Sequence, residues 1–320
     1  HHIGAGDLQV GSMLAFLQYS MQAVSAFLMI SIIFISLPRA AVSANRIAEV
    51  LETEIQIKDP TNPVRAHRRG GKVEFKNVTF TYPGAAEPVL HNISFVALPG
   101  ETTAFVGSTG SGKSTIINLI PRFYEVTEGQ VLVDDVDVRA MRQKDLRARI
   151  GYVSQKAMLF SGTIRDNITY GNPNATQEEI FRAAATAQAL EFIKELEGKF
   201  DSSIAQAGTN FSGGQKQRLA IARALAKNPE LYLFDDSFSA LDFQTDKALR
   251  TALKEEAQGK TVLIVTQRIA TIVNADKIVV IDKGEIVGQG THETLLKTCG
   301  VYQEIAASQL APEELARVLK

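Results

Sequence analysis

The sequence predicts an α/β fold built around a phosphate-binding loop, with an added antiparallel β-layer, a helical block and one membrane-spanning α-helix in front. Three observations support this prediction. Residues Gly107–Thr115 read G-x-x-x-x-G-K-[ST] between a short apolar run and a helix-forming run. Apolar residues alternate ahead of that motif, and the first 50 residues include a long stretch without charge.

The N-terminal stretch Val10–Leu37 has no charged side chain and exceeds the roughly 20 residues that a helix needs to cross a bilayer. We expect residues 1–54 to form a transmembrane helix with a cytoplasmic extension, because the stretch is too long for a signal-peptide core and lacks a basic leader. Arg39 and Arg46 follow it, whereas Asp7 and two histidines precede it. This asymmetry predicts that the C-terminal side is cytoplasmic.

Polar residues recur on this helix at helical spacing, among them Gln18, Gln22 and Ser25. Such side chains must face other helices or a wet cavity. Hydrogen bonding between helices and contact with a transported substrate are both compatible with the pattern.

Residues 55–71 are predicted to be a linker, because Asp59–Pro63 and Arg68–Gly71 break the periodicity. The basic residues Arg65 and His67–Arg69 are compatible with contact with anionic lipid, but we favour a solvated linker. The single cysteine, Cys299, excludes an intramolecular disulfide framework. A formal net charge of −1 argues against non-specific nucleic-acid binding, so no nucleic-acid partner is expected.

The remaining residues, 72–320, are predicted to form a nucleotide-binding domain. Alternation predicts a strand over residues 73–80, and a second run over 93–98 leads into the strand before the phosphate loop. Residues 130–134 and 150–154 are further predicted strands. Helical periodicity between residues 163 and 207, with Ile180, Ala184, Ala187 and Leu190 on one face, interrupts the sheet.

The phosphate loop has residues suited to a nucleotide. Lys113 would reach the outer phosphates, the Ser114 hydroxyl would ligate Mg²⁺, and Thr115 lies in the helix whose N-terminus faces the anion. The backbone N–H groups expected to surround the phosphates belong to Gly107, Ser108, Thr109, Gly110, Ser111 and Gly112.

Two later motifs complete a pattern. Ser212-Gly213-Gly214-Gln215 precedes a predicted helix over residues 216–227, and the apolar run Leu231–Phe234 ends in Asp235 and Asp236. With these motifs in this order, the chain resembles the C-terminal part of an ATP-binding cassette (ABC) exporter half, spanning its last transmembrane helix and complete nucleotide-binding domain. The resemblance implies ATP and Mg²⁺ as cofactors, a multi-pass protein of the cell membrane, a cytoplasmic nucleotide-binding domain, and a helical subdomain over about residues 156–228.

The resemblance also assigns roles. It places Tyr82 against the adenine ring, Gln155 at Mg²⁺ and the attacking water, and Asp235 at Mg²⁺. Ser239–Asp242 matches the family's dimer-contact loop.

A second half-transporter is the implied partner, together with the lipid bilayer and a transported small molecule, lipid or peptide. Two nucleotide-binding domains of this family close head to tail, so the signature residues of one chain would contact the γ-phosphate held by the other. Those residues are Ser212, Gly213, Gly214 and Gln215.

Three departures from the family pattern change the expected mechanism. Asp236 stands where most active members have glutamate, Gln267 stands where they have histidine, and Ala205–Ala207 replaces Glu-Arg-Gly. A carboxylate one methylene shorter and an amide without a titratable proton predict slow hydrolysis. Asp236, Gln267 and Gln155 are therefore the candidate catalytic residues of a site resembling the degenerate half of heterodimeric exporters.

Two alternatives remain open from the sequence. A regulatory ATP-binding module with negligible turnover is favoured by Asp236 and Gln267. A soluble cassette ATPase is disfavoured by the Val10–Leu37 stretch.

Overall fold

The computed structural model describes residues 9–66 and 70–310. The predictions made for His1, His2, Asp7 and His67–Arg69 lie outside the described residues. Two units divide the chain, residues 1–58 and residues 59–320, and each is described by itself.

The first unit contains one long helix, α1 (Val10–Glu52), of 43 residues. Its most apolar 18-residue window has a mean hydropathy of 2.0, so by length and composition it could cross a membrane. It is the single helix in residues 9–66 and 70–310 that meets those criteria. The helix continues past Leu37 and through Pro38, whose missing N–H removes one backbone hydrogen bond without ending it.

The second unit contains all the strands of the described residues. They are β1 (Val73–Phe80), β2 (Leu90–Ala97), β3 (Thr102–Val106), β4 (Glu128–Val133), β5 (Val136–Asp137), β6 (Ile150–Val153), β7 (Gly162–Thr163), β8 (Ser203–Ile204), β9 (Leu231–Asp235), β10 (Thr261–Val265), β11 (Lys277–Asp282) and β12 (Glu285–Gly290).

Its α-helices follow the same chain order. They are α2 (Lys113–Leu119), α3 (Gln143–Ala148), α4 (Ile164–Thr169), α5 (Gln177–Thr186), α6 (Leu190–Glu195), α7 (Gly213–Ala226), α8 (Phe243–Glu256), α9 (Ile269–Ile272), α10 (His292–Thr298) and α11 (Gly300–Ala307).

The central sheet has the strand order β12-β11-β3-β10-β9-β6. Its strands pair in parallel except for the antiparallel edge strand β12. A separate four-stranded antiparallel sheet has the order β2-β1-β4-β5. This arrangement confirms the predicted α/β fold with an added antiparallel layer. Because the carboxyl ends of parallel strands meet at one edge of a sheet, the loops after β3, β9 and β10 lie together.

The helices α4 to α7 form a block between β6 and β9, and their apolar faces share one hydrophobic cluster. Ile180, Ala184 and Ala187, which the periodicity placed on one face, are buried in it, and Leu190 packs against its edge. Phe234 of the central sheet belongs to the same cluster, so this block packs on the sheet.

Some boundaries differ from the predicted ones for local reasons. The helix expected from Lys216 begins at Gly213, because Ser212 and Gln215 form a reciprocal capping box. The strand expected to reach Asp134 ends at Val133, because Asp134 and Asp135 turn the chain with φ values of 49° and 65°.

Candidate nucleotide-binding site

The phosphate loop connects β3 to α2 at the carboxyl edge of the central sheet. Gly107 passes so close to β11 that a Cβ there would lie 2.0 Å from the Ile281 carbonyl oxygen. Gly112 has φ 102° at the start of α2, a conformation that favours glycine. The glycines are therefore required by close packing and by the turn.

Lys113 is buried beneath this loop. Its Nζ donates hydrogen bonds to the carbonyl oxygens of Gly107 (2.9 Å) and Ser108 (2.5 Å) and contacts Ser111 Oγ at 3.3 Å. Burial lowers the pKa of Lys113, while the nearby charges of Asp236 and Asp235 act in the opposite direction. An ammonium held mainly by neutral oxygens is well placed to bind an anion.

The residues proposed to hold Mg²⁺ lie next to Lys113. Ser114 Oγ donates a hydrogen bond of 2.7 Å to Asp235 Oδ1, so strand β9 brings this carboxylate to the start of α2. Asp235 is buried, and burial raises its pKa against the effect of the Ser114 hydrogen bond. One hydroxyl and one carboxylate fit Mg²⁺, which nucleotide sites hold through one or two carboxylates and the substrate phosphates.

In residues 9–66 and 70–310 there is no group of three or more His, Cys, Asp or Glu side chains that could hold a metal by itself. A magnesium ion that arrives with the nucleotide does not need such a group.

A cavity of about 280 Å³ opens beside the loop. Gln155 and Asp236 both line this cavity, and Gln155 Nε2 donates a hydrogen bond of 3.3 Å to Asp236 Oδ2. Gln267, in the loop after β10, lines the cavity as well. Asp236 has φ 44°, a left-handed conformation that Asp tolerates better than most residues. The lining residues are Val89, Thr109, Gly110, Gly112, Lys113, Ser114, Thr115, Gln155, Asp236, Val265 and Gln267.

Tyr82 lies near this cavity without lining it. Its hydroxyl and Thr115 Oγ1 are 2.9 Å apart in a hydrogen bond, and its ring makes edge contacts with Phe80 and Tyr124. The hydroxyl thus attaches the predicted adenine-contacting ring to α2.

The signature residues lie elsewhere, at the N-terminus of α7. Ser212 Oγ accepts a hydrogen bond from the Gln215 N–H (3.2 Å), and Gln215 Oε1 accepts one from the Ser212 N–H (2.9 Å). A Cβ on Gly213 would meet nothing within 4 Å, whereas one on Gly214 would lie 3.2 Å from the Ala240 carbonyl oxygen. None of the four lines the cavity beside the phosphate loop.

One connection between the site loops was not foreseen from the sequence. Arg268 Nη2 donates to the Ser239 carbonyl oxygen (2.8 Å), and Ser239 Oγ donates to the Asp236 carbonyl oxygen (2.9 Å). These hydrogen bonds therefore join the loop after β9, which carries Asp236, to the loop after β10, which carries Gln267. No sequence motif marks this contact, because it depends on the sheet order that makes β9 and β10 neighbours.

Comparisons with known proteins point to one family. A model of the ABC transporter family matches residues 90–239. An uncharacterized ABC transporter ATP-binding protein of Mycobacterium tuberculosis is 49% identical over 96% of this chain and 53% of its own length. An ATP-dependent lipid A-core flippase of Haemophilus influenzae is 46% identical over 77% of this chain and 42% of its own.

Among solved structures, a bacterial Atm1-family ABC exporter with ATP bound is 35% identical, with a TM-score of 0.80 over 95% of this chain and 53% of that one. The chain thus spans about half the length of the relatives it matches. It carries an ABC transporter ATP-binding domain and has ABC exporters among its relatives.

Proposed function

We propose that this chain is the ATP-binding and ATP-hydrolysing part of an ABC exporter subunit. The observation that carries the proposal is the convergence of Lys113, Ser114, Asp235, Asp236 and Gln267 at the ends of three adjacent parallel strands. The phosphate loop supplies the N–H groups and the lysine that a nucleoside triphosphate requires.

In this proposal Lys113 exchanges its loop carbonyls for the β- and γ-phosphate oxygens, because an anionic oxygen is a stronger partner than a peptide carbonyl. Mg²⁺, when bound, would neutralise charge between these phosphates, with Ser114, Asp235 and Gln155 as its protein ligands. The Tyr82 ring covers the adenine, while its hydroxyl keeps the ring attached to α2 through Thr115.

Hydrolysis at this site is proposed to be slow. Asp236 would orient the attacking water. Gln155 would bind both that water and the Asp236 carboxylate, which Gln155 Nε2 already contacts at 3.3 Å. The Gln267 amide would hydrogen-bond the γ-phosphate but cannot exchange a proton with it. The shorter reach of Asp236 supports the assignment of a degenerate site.

At the level of the assembly, we propose that α1 is a transmembrane helix of a multi-pass protein in the cell membrane, with the domain over residues 72–320 in the cytoplasm. Ser212–Gln215 would complete the ATP site of a second half-transporter in a head-to-tail heterodimer. ATP binding would close the two domains and drive export of a small molecule, lipid or peptide. The lipid A-core flippase among the relatives supports lipid as one of these classes.

A second candidate is a regulatory ATP-binding module with negligible turnover, which Asp236 and Gln267 favour. Both candidates use the same nucleotide site. In the first the transporter depends on hydrolysis at this site, whereas in the second it does not.

The proposal is tested by Lys113→Ala, which removes the cation that faces the phosphates. We expect Mg²⁺·ATP affinity to fall at least tenfold, because a charge-assisted contact to phosphate is lost. Binding is measured by photolabelling of this chain with an azido-ATP analogue in the full-length protein.

Lys260→Ala is the matched control. Lys260 also donates a hydrogen bond, to Asn228 Oδ1 at 2.6 Å, but it precedes β10, at the end of the sheet away from the phosphate loop. Equal labelling of the Lys113→Ala variant and the wild type would overturn the nucleotide-site assignment.

A further inference from the structure

The loop that carries Gln267 is held from the far end of the chain. Gln309 follows α11, and its side-chain Nε2 donates a hydrogen bond of 2.7 Å to the Gln267 carbonyl oxygen. The same amide accepts, through Oε1, a hydrogen bond of 2.9 Å from the Ile269 N–H. One side chain therefore binds the backbone on both sides of Arg268.

Gln309 is itself fixed by the core. Its N–H donates to the Ala306 carbonyl oxygen at 3.1 Å, which continues the last turn of α11. Ala306 is fully buried with Ile269 in one hydrophobic cluster, against which Leu310 also packs. The amide is thus a short, fixed link between a buried helix and the loop after β10.

The geometry of this link resembles a backbone ladder. A primary amide presents one donor and one acceptor in a plane, so it can satisfy a carbonyl and an N–H two residues apart as a neighbouring strand would. The Gln267 side chain is exposed and lines the nucleotide cavity, so its position depends on the backbone that Gln309 holds.

A second contact extends the link toward the site. Arg268, between the two residues that Gln309 binds, donates to the Ser239 carbonyl oxygen in the loop after Asp236. A shift of the loop after β10 would therefore also disturb the loop that carries Asp236.

We propose that Gln309 is a positioning residue for Gln267 and thereby sets the preference of this site for ATP over ADP. The inference rests on the proposed function, in which Gln267 contacts the γ-phosphate. ADP lacks that phosphate, so the affinity for ADP does not depend on the position of Gln267, whereas the affinity for ATP does. Without Gln309 the loop gains freedom, and the Gln267 amide spends less time in the geometry that a hydrogen bond to the phosphate requires.

The test compares affinities for β,γ-imido-ATP and ADP, each with Mg²⁺, in the full-length protein in lipid nanodiscs. Competition against photolabelling of this chain by azido-ADP reports on its own nucleotide site. Gln309→Leu is expected to weaken β,γ-imido-ATP about fivefold while leaving ADP within twofold of wild type. Gln267→Ala should give the same pattern, and the double variant should be no worse than Gln267→Ala alone.

Gln303→Leu is the matched control, because Gln303 on α11 makes a comparable amide-to-carbonyl hydrogen bond of 2.7 Å, but to Leu296 in α10. It should leave the ratio of the two affinities unchanged. Gln309→Glu keeps the acceptor for the Ile269 N–H but places a carboxylate oxygen against the Gln267 carbonyl. It should therefore lose ATP preference at neutral pH and regain part of it when the carboxyl is protonated at lower pH, relative to wild type at the same pH.

The inference is overturned if Gln309→Leu keeps the wild-type affinity ratio, or if both nucleotides weaken equally, since equal weakening would mean a general structural role. It is also overturned if Gln309→Leu and Gln267→Ala have additive effects. Failure of the proposed function would give a different result. In that case neither nucleotide would bind the wild-type protein more tightly than it binds the Lys113→Ala variant.

Discussion

At the residue scale, the site holds charged groups in places that cost stability. Burial lowers the pKa of Lys113 and raises the pKa of Asp235, so the surroundings of each group disfavour its charged form. Perturbed groups that converge beside a cavity are typical of functional sites. The motif spacing predicted which residues these are. It could not predict that Ser114 bonds Asp235, because that contact depends on how β9 pairs within the sheet. Nor could it predict that Lys113 bonds the carbonyl groups of its own loop, because that contact depends on how the loop curls.

The raised pKa of Asp235 predicts that Asp235→Asn stabilises the nucleotide-free protein. When a folded-state pKa lies above the unfolded value, the stability that the proton provides is present below the unfolded pKa and is lost as pH rises through the folded pKa. At pH 7 the carboxylate is therefore unfavourable in its buried place. We expect Asp235→Asn to raise the midpoint of thermal unfolding by about 2–4 °C at pH 7. The gain should shrink as pH is lowered, and Mg²⁺-dependent ATP binding should be lost.

The measurement is thermal unfolding of the full-length protein between pH 5 and pH 8. Asp201→Asn changes a carboxylate whose side chain is 70% exposed and should leave the midpoint unchanged. A lower midpoint for Asp235→Asn at pH 7 would mean that the hydrogen bond from Ser114 outweighs the cost of burial.

At the element scale, β3, the phosphate loop and α2 depend on a strand far along the chain. Alternation and the glycine motif were sufficient to predict the strand, the loop and the helix around Gly107. The pairing of β11 with β3, which places the Ile281 carbonyl over the loop, left no local signal in either segment. Start points of helices were also missed where capping decided them, as at Ser212, because the cap extends the helix beyond its apolar pattern.

Gly107→Ala tests this packing. The new Cβ would lie 2.0 Å from the Ile281 carbonyl oxygen and 2.8 Å from Ser111 Oγ, so the backbone must move. We expect a loss of about 1–3 kcal/mol in the free energy of unfolding, typical of overpacking, and at least tenfold weaker ATP binding. Gly300→Ala is the control, because a Cβ at that position of α11 meets nothing within 4 Å. If chemical denaturation shows the two variants to be equally stable, the loop does not pack against β11 as described.

At the scale of the whole molecule, the motif residues fall into two separate groups, which the proposed function assigns to two different ATP sites. Lys113, Ser114 and Asp236 surround the cavity, whereas Ser212–Gln215 cap α7 and do not line it. Ser212 and Gly213 are exposed, and a Cβ on Gly213 would meet nothing within 4 Å among the described residues, so the start of α7 is accessible there. Composition and periodicity could not predict a head-to-tail dimer, because the residues that would contact a partner are marked only by their likeness to a family motif.

This division predicts different consequences for two substitutions in the assembled transporter. Gly214→Asp places a carboxylate at the N-terminus of α7, where in the proposed heterodimer it would repel the partner's γ-phosphate, and it crowds the Ala240 carbonyl oxygen. It should reduce ATPase activity of the purified heterodimer at least a hundredfold, although the residues around this chain's own cavity are intact. Asp236→Asn should reduce it less than threefold, because the site it serves is proposed to hydrolyse poorly.

The comparison uses heterodimer purified at matched expression, with azido-ATP labelling of each chain showing that both sites still bind nucleotide. Labelling separates a loss of turnover from a loss of binding, which matters because in the proposed heterodimer Gly214→Asp would act on a phosphate held by the other chain. Both substitutions act on the loop after β9, since Gly214 approaches Ala240 and Asp236 begins the segment that leads to Ala240. A general disturbance of that loop would make both variants equally defective and would weaken the azido-ATP labelling as well. If Asp236→Asn were as damaging as Gly214→Asp while both chains were still labelled, Asp236 would be a working catalytic carboxylate and the site would not be degenerate.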